Sequence, residues 1–149
     1  MYKRQIETHS LRIEKTIAAP IEAVRNALTD ATLLAQWFAP GDMTAVVHSC
    51  DAKVGGHYEI AMTGTGPDGL AATHTCTGEF TGLTPTRVAM TFNWSEEPLP
   101  NATQLAYELS PTDVGTRLVL THEGLPTKEL AAMHTEGWEG CLAKLPDAC

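Results

Sequence analysis

Histidines, cysteines and carboxylates are the residues of this chain with chemistry to offer, and their spacing is where a reaction would first show. His134 and Cys141 stand about two turns apart in a helical stretch, too far for a thiol to pass its proton to the imidazole along an ideal helix. His74 and Cys76 alternate with Thr75 in a strand-like stretch and so share a face, which does not by itself bring them into contact. His57 and His122 also fall in strand-like sequence, and a metal would need several of these rings to converge with carboxylates. No His-x-His or His-Glu-x-x-His pattern gathers them locally, so no metal and no cofactor is expected. His122 shares its face with Leu118 and Leu120, which leaves two readings: a buried polar ring that needs a partner, or an acid or base inside a cavity. Glu59, Glu79 and Glu108 are general-base candidates only if they point inward, and the outer face is the expected place for them. No catalytic residue is assigned.

The elements that must position these groups belong to a chain of ordinary globular composition. Its 149 residues are 43% hydrophobic and 19% charged, enough apolar content for one domain, 1–149, and too little charge for disorder. The formal net charge of -8 repels phosphate backbones, and Lys3-Arg4 is the only adjacent basic pair, so nucleic acid is not an expected partner. No apolar run is long enough to span a bilayer, and the stretch from Met1 to Glu14 lacks an apolar signal core. A cytoplasmic protein is expected. In that setting Asn93-Trp94-Ser95 and Asn101-Ala102-Thr103 are chance matches to the glycosylation pattern. Cys50, Cys76, Cys141 and Cys149 lack the close pairs of a zinc site, and disulfides are disfavoured in a reducing compartment. Cys76 and Cys141 read as small buried thiols and Cys149 as exposed.

Alternation at Leu11, Ile13 and Lys15 predicts a strand over His9–Ile17. Pro20 opens a helix whose face is Ile21, Val24, Ala27 and Leu28, and Asp30 caps a second short helix running to Phe38. Extended segments then follow over Met43–Cys50, His57–Thr63, Ala72–Phe80 and Val88–Trp94. Gly64–Gly69 is read as a hairpin loop and Gly82–Thr86 as a connection. Val88, Met90, Phe92 and Trp94 share one face, as do Leu105, Tyr107 and Leu109 on the next strand, with Ser110–Gly115 as the turn after it. Thr127 caps a final helix carrying Leu130, Met133 or His134, Gly137 or Trp138, Cys141 and Leu145, and Pro146 ends it. That order gives an α+β fold: a curved antiparallel sheet with helices on one face.

Four stretches carry a more specific likeness. They are Ile17-Ala18-Ala19-Pro20-Ile21-Glu22-Ala23-Val24 with Ala27-Leu28-Thr29-Asp30; Leu33-Leu34-Ala35-Gln36-Trp37-Phe38-Ala39-Pro40; Val54-Gly55-Gly56-His57-Tyr58; and Gly115 to His122 followed by Glu136-Gly137-Trp138-Glu139-Gly140-Cys141-Leu142. In this order they resemble the activator of Hsp90 ATPase homologue-like family, within the START-like, allergen-like superfamily. The resemblance implies a helix-grip fold, a curved antiparallel β-sheet around a C-terminal α-helix with two short helices after the first strand. It also implies a cavity between helix and sheet that often receives apolar or amphipathic small molecules. The eukaryotic co-chaperone that names the family carries an additional N-terminal domain, so direct stimulation of a chaperone ATPase is not expected of this chain. An early end of the last helix at Pro146 would leave one end of the pocket more open.

The function expected is binding of a small hydrophobic or amphipathic molecule, with Trp37, Tyr58, Met62, Phe92, Trp94, His122, Met133 and Trp138 as candidate contacts. Each has an alternative role in the core, because in a grip fold one inward face serves both. Two other functions compete. A cyclase, hydratase or hydrolase would need a buried imidazole or carboxylate beside a substrate-sized void. A protein-interaction module, of chaperone or regulatory character, would show an exposed apolar patch and a collapsed cavity. Sheet edges make a homodimer plausible.

Overall fold

Every strand in the protein runs antiparallel to its neighbours, in the order β1-β7-β6-β5-β4-β3-β2. The computed structural model describes residues 8–65 and 68–149. The strands are β1 (His9–Ile17), β2 (Thr44–Cys50), β3 (His57–Thr65), β4 (Ala71–Thr84), β5 (Arg87–Trp94), β6 (Thr103–Thr112) and β7 (Gly115–Leu125). The helices are α1 (Ile21–Thr29), α2 (Ala31–Trp37) and α3 (Lys128–Lys144), and a 3-10 turn, Leu145–Ala148, closes the chain. β2 to β7 form a meander, while β1 closes against β7 and carries α1 and α2 across the inner face. This is the helix-grip α+β arrangement that the order of elements implied.

Local chemistry explains the helices. Val24, Ala27 and Leu28 recur at helical spacing and are all buried, so α1 is held by one apolar stripe. The Asp30 carboxylate accepts the Leu33 N–H at 3.0 Å and starts α2. The Thr127 hydroxyl does the same for the Leu130 N–H at the start of α3. Pro146 follows the last α-helical residue, Lys144, and tightens the end into the 3-10 turn.

Two connections are shorter than their Gly and Pro content suggests. β4 continues through Gly82 and Leu83, which pair with Ala89 and Val88, so only Pro85-Thr86 turns the chain. β6 likewise runs to Thr112, leaving Asp113-Val114 as the turn, and Gly115 takes φ +151° where a Cβ would strike the Ile17 carbonyl. Ladder bonds to a neighbouring strand outweigh the local turn preference in both places. Gly64–Gly69 stands between β3 and β4 as expected, although Gly66 and Pro67 lie outside the described residues. This stretch spells Gly-x-Gly-x-x-Gly but joins two strands, so it lacks the helix N-terminus that a phosphate loop uses. Register shifts in β1, β2 and β4 are the bulges that let the sheet curve.

The helices cover the inner face unevenly. α3 lies along β1 and touches β7, and Lys15 on β1 meets Glu139 on α3 at 2.8 Å. α2 packs against β2. Beneath α3, strands β3, β4 and β5 have no such close helical neighbour, and that is where space opens. Among the described residues no helix is long and apolar enough to cross a membrane.

Candidate functional site

A cavity of about 560 Å³ occupies that space. Its roof is the inner side of α3, at Leu130, Met133, His134, Gly137, Trp138 and Cys141. Its floor is Met62 of β3, Thr73 and His74 of β4, and Phe92 and Trp94 of β5. Phe38, Pro40 and Met43 close one end, and Glu96, Glu97 and Leu99 border the other. The size lies in the range of small-molecule sites, roughly 300–1,000 Å³, and the wall is mainly apolar as such sites are.

Parity along the strands places Met62, Phe92 and Trp94 inside. Met62 and Phe92 are nearly inaccessible, at 6% and 2% exposure, so each is both core and cavity floor. Met133 also borders the cavity but is 68% exposed, which sets it at the mouth rather than over the sheet. Of the two alternatives on that helical face, His134 is the one that turns inward.

Two hydrogen-bonded chains join helix to sheet. In the first, Trp138 on α3 donates its indole N–H to Nδ1 of His122 on β7, at 3.1 Å. Indole is only a donor, so Nδ1 is the acceptor and the proton of neutral His122 sits on Nε2. That N–H donates to the Thr103 hydroxyl at 2.7 Å, which in turn donates to the Phe92 carbonyl at 2.8 Å. In the second, Trp94 on β5 donates to Nε2 of His134 on α3 at 3.2 Å, and Nδ1–H of His134 reaches the Leu130 carbonyl at 2.9 Å. Phe92 packs against both, 5.0 Å from His122 and 6.1 Å from His134, ring centre to ring centre, and the two imidazoles meet edge to face at 5.2 Å.

These chains fix protonation. Burial, with His134 nearby, holds His122 down to about 3, so it is neutral across the physiological range. Burial also lowers His134, against the raising effect of its bond to Leu130. Burial pushes the Cys141 thiol up to about 12 and Cys76 higher still, so neither is a thiolate near neutrality. Cys141 therefore faces the cavity as a small apolar group.

Three of the residues singled out in the sequence do not line this cavity. Trp37 is fully buried between α1, α2 and the sheet, and its indole donates to the Ala27 carbonyl at 2.7 Å. Its neighbour Phe38 is the aromatic that reaches the wall, edge-on to Trp138 at 5.4 Å. The Tyr58 ring lies across Gly78, its register partner, and its hydroxyl donates to the Thr91 carbonyl at 2.6 Å. It borders a separate, shallower hollow lined by polar strand residues such as His57, Glu59 and Glu79. His122 stands one layer behind Phe92 and Trp138, where it is the buried polar ring with partners rather than a free acid or base.

Sequence reasoning did not place His74, Leu99, Leu130, Gly137 or the Glu96-Glu97 pair at the site. An apolar Leu99 between Pro98 and Pro100, in an otherwise polar loop, was the one visible signal. Asn93 fixes this loop: its carbonyl accepts the Leu99 N–H at 2.8 Å and its amide donates to the Leu99 carbonyl at 3.1 Å. That engagement also gives the Asn93 side chain a structural role. Among the described residues no group of three His, Cys, Asp or Glu side chains is placed to hold a metal ion.

The comparisons with known proteins agree with this architecture. The model of a family described as Activator of Hsp90 ATPase homolog 1-like protein matches residues 18–149. Among solved structures, a protein from Chromobacterium violaceum is 27% identical with a TM-score of 0.84, covering 93% of this chain and 94% of its own. The AHSA1 protein from Silicibacter pomeroyi is 25% identical with a TM-score of 0.77, over 93% of this chain and 96% of its own. An AHSA1-like protein from Aeromonas hydrophila is 26% identical with a TM-score of 0.72, over 94% and 91% respectively. No curated protein matches the sequence.

Proposed function

The chain belongs to the Activator of Hsp90 ATPase homolog 1-like family, and we propose that it binds a small hydrophobic or amphipathic molecule between α3 and strands β3–β5. The observation that carries this reading is the cavity of about 560 Å³, lined mainly by apolar side chains beneath α3. Apolar burial would supply the affinity, at about 25 cal/mol per Å² removed from water. Met62, Phe92, Trp94, Met133 and Trp138 are the proposed contacts among the residues foreseen, joined by Phe38, Leu99 and Leu130.

The competing readings draw less support. An enzyme of the hydratase or hydrolase type needs a buried imidazole or carboxylate free to move protons; both ring nitrogens of His122 and of His134 are engaged, and His74, Glu96 and Glu97 at the cavity are exposed. An interaction module needs a contiguous apolar surface. Among the described residues the exposed large hydrophobics, Val46, Val54, Leu70, Val114 and Met133, belong to five separate segments. A cytoplasmic setting is part of the proposal, in keeping with four free thiols. The family name itself transfers no chaperone activity here.

Native mass spectrometry of protein purified without added ligand, followed by denaturation to release any small molecule, tests the reading. A titration with the neutral dye Nile red accompanies it. A saturable fluorescence rise and a ligand-linked increase in thermal stability are expected, since a hundredfold excess over Kd stabilises by about 2.7 kcal/mol. Protein that carries nothing and gives no saturable signal defeats the proposal.

A further inference from the structure

The polar groups on the cavity wall define which head group an amphipathic ligand can carry. Both indole N–H groups are already committed to histidines, and both nitrogens of His134 are bonded. The Thr73 hydroxyl is shared with Thr63 at 3.1 Å. Among the described residues no Lys or Arg side chain lines the cavity. Lys144, on the last turn of α3, has its ammonium on the Ala39 and Met43 carbonyls, at 2.6 and 3.2 Å. An anionic head group would therefore find no cation and almost no free donor.

The charged groups that do line the cavity are the carboxylates of Glu96 and Glu97. Glu96 is not a loose surface residue: its Oε1 accepts the Thr75 N–H at 2.8 Å, continuing the β4–β5 ladder past its last backbone pair. That bond holds its carboxyl below the ordinary range, so it is ionised wherever the protein is folded near neutrality. Trp94 lines the same cavity with its N–H turned to His134, so its indole offers apolar surface rather than a free donor. The His74 ring, edge-on to Trp94 at 6.2 Å, completes this end.

We propose that the molecule taken by this cavity is a cationic amphiphile, an amine on an apolar tail, with its head at the Glu96–Glu97 end and its tail under α3. Fatty acids and other anionic amphiphiles are disfavoured by the same two carboxylates. This inference rests on the cavity being the binding site.

The test is a competition against Nile red with three ligands that share a ten-carbon tail: decylamine, decanol and decanoate. Each is kept below its micellar concentration, in low salt at pH 8, where an unperturbed imidazole is neutral and both end groups are ionised. Replacing attraction to two exposed carboxylates by repulsion is expected to separate the amine from the acid by about tenfold, with the alcohol between them. The gap should narrow as salt is raised. In the isosteric Glu96→Gln, Glu97→Gln double variant the amine-to-acid ratio should fall to about two. Decanoate equal to or tighter than decylamine overturns the inference, as does a gap that survives unchanged in the double variant. If Nile red and decanol bind without any charge order, only this inference fails. If nothing binds, the cavity reading fails first.

Discussion

Gly137 gives the sharpest test of whether the space under α3 is open in solution. It sits inside a 17-residue helix, faces the cavity, and a Cβ built there meets nothing within 4 Å. A glycine in a helix interior is destabilising by about 1 kcal/mol relative to alanine, because the unfolded chain has more freedom to lose. Gly137→Ala is therefore expected to stabilise the protein by about 0.5–1 kcal/mol, a rise in Tm of roughly 3 °C for a chain of this size. Gly137→Leu goes further: its side chain extends into the space that Gly137 lines and takes room from any ligand. A single methylene in an apolar pocket is worth roughly 1–3 kcal/mol, so a leucine should weaken Nile red at least tenfold while the protein stays folded. Urea unfolding and dye titration on the same samples read both effects. A destabilised Gly137→Ala would mean that the space is filled in solution. A Gly137→Leu protein with unchanged dye affinity would mean that binding, if present, is elsewhere.

Three further outcomes follow, two from buried polar groups and one from a close backbone contact. His122 is neutral when folded and ordinary when unfolded, so the unfolded state takes up a proton first as pH falls. Its contribution is fully present above about pH 6.5 and is lost progressively toward about pH 3; between pH 7 and 5 the loss is on the order of 2 kcal/mol, and His122→Gln should flatten that slope in urea titrations. A wild-type stability that does not change over this interval would refute the buried-neutral assignment. Among the described residues the Tyr107 hydroxyl is buried without a partner, whereas the Tyr58 hydroxyl bonds the Thr91 carbonyl. Tyr107→Phe should be neutral or stabilising and Tyr58→Phe should cost about 0.5–1.5 kcal/mol; the reverse order, by the same unfolding assay, would contradict the placement of both rings. Gly140→Ala should destabilise by about 1–3 kcal/mol, because its Cβ would meet Pro40 at 2.8 Å; an unchanged Tm would show that the Pro40 loop yields freely.

Much of the fold was legible because its signals are local. Period-two alternation placed β1 and β5 to within a residue and identified the inward faces of β6 and β7, and Asp30, Thr127 and Pro146 marked helix boundaries through bonds that their own side chains or rings dictate. The ends of β4 and β6 were not legible, because a strand continues as long as its neighbour offers ladder partners, and those lie far away in sequence. The site was read in part for a related reason. Parity says which face a side chain is on, and so it placed Met62, Phe92 and Trp94. It does not say how far above that face the helix stands. Trp37 shows the consequence: it faces inward as expected, but where α1 and α2 press on the sheet, so its ring is core and the adjacent Phe38 reaches the opening.

The standoff between helix and sheet has a physical cause in the two Trp–His pairs. They are reciprocal: Trp138 comes from the helix and is held by a histidine of the sheet, while Trp94 comes from the sheet and is held by a histidine of the helix. Each imidazole is in turn tied to backbone, His122 through Thr103 to the Phe92 carbonyl and His134 to the Leu130 carbonyl. For α3 to sink onto β3–β5 and close the cavity, both indoles would have to swing away from their acceptors. Each buried nitrogen left without a partner costs about 1–3 kcal/mol. A wall of leucines would have no such penalty and could collapse by changing rotamers. The braces are thus what converts an inward-facing apolar surface, which could have packed solid, into a lined opening. They also use up donors that a carboxylate ligand would need, so the hydrogen bonds that hold the helix off the sheet would also bear on the proposed ligand's head group.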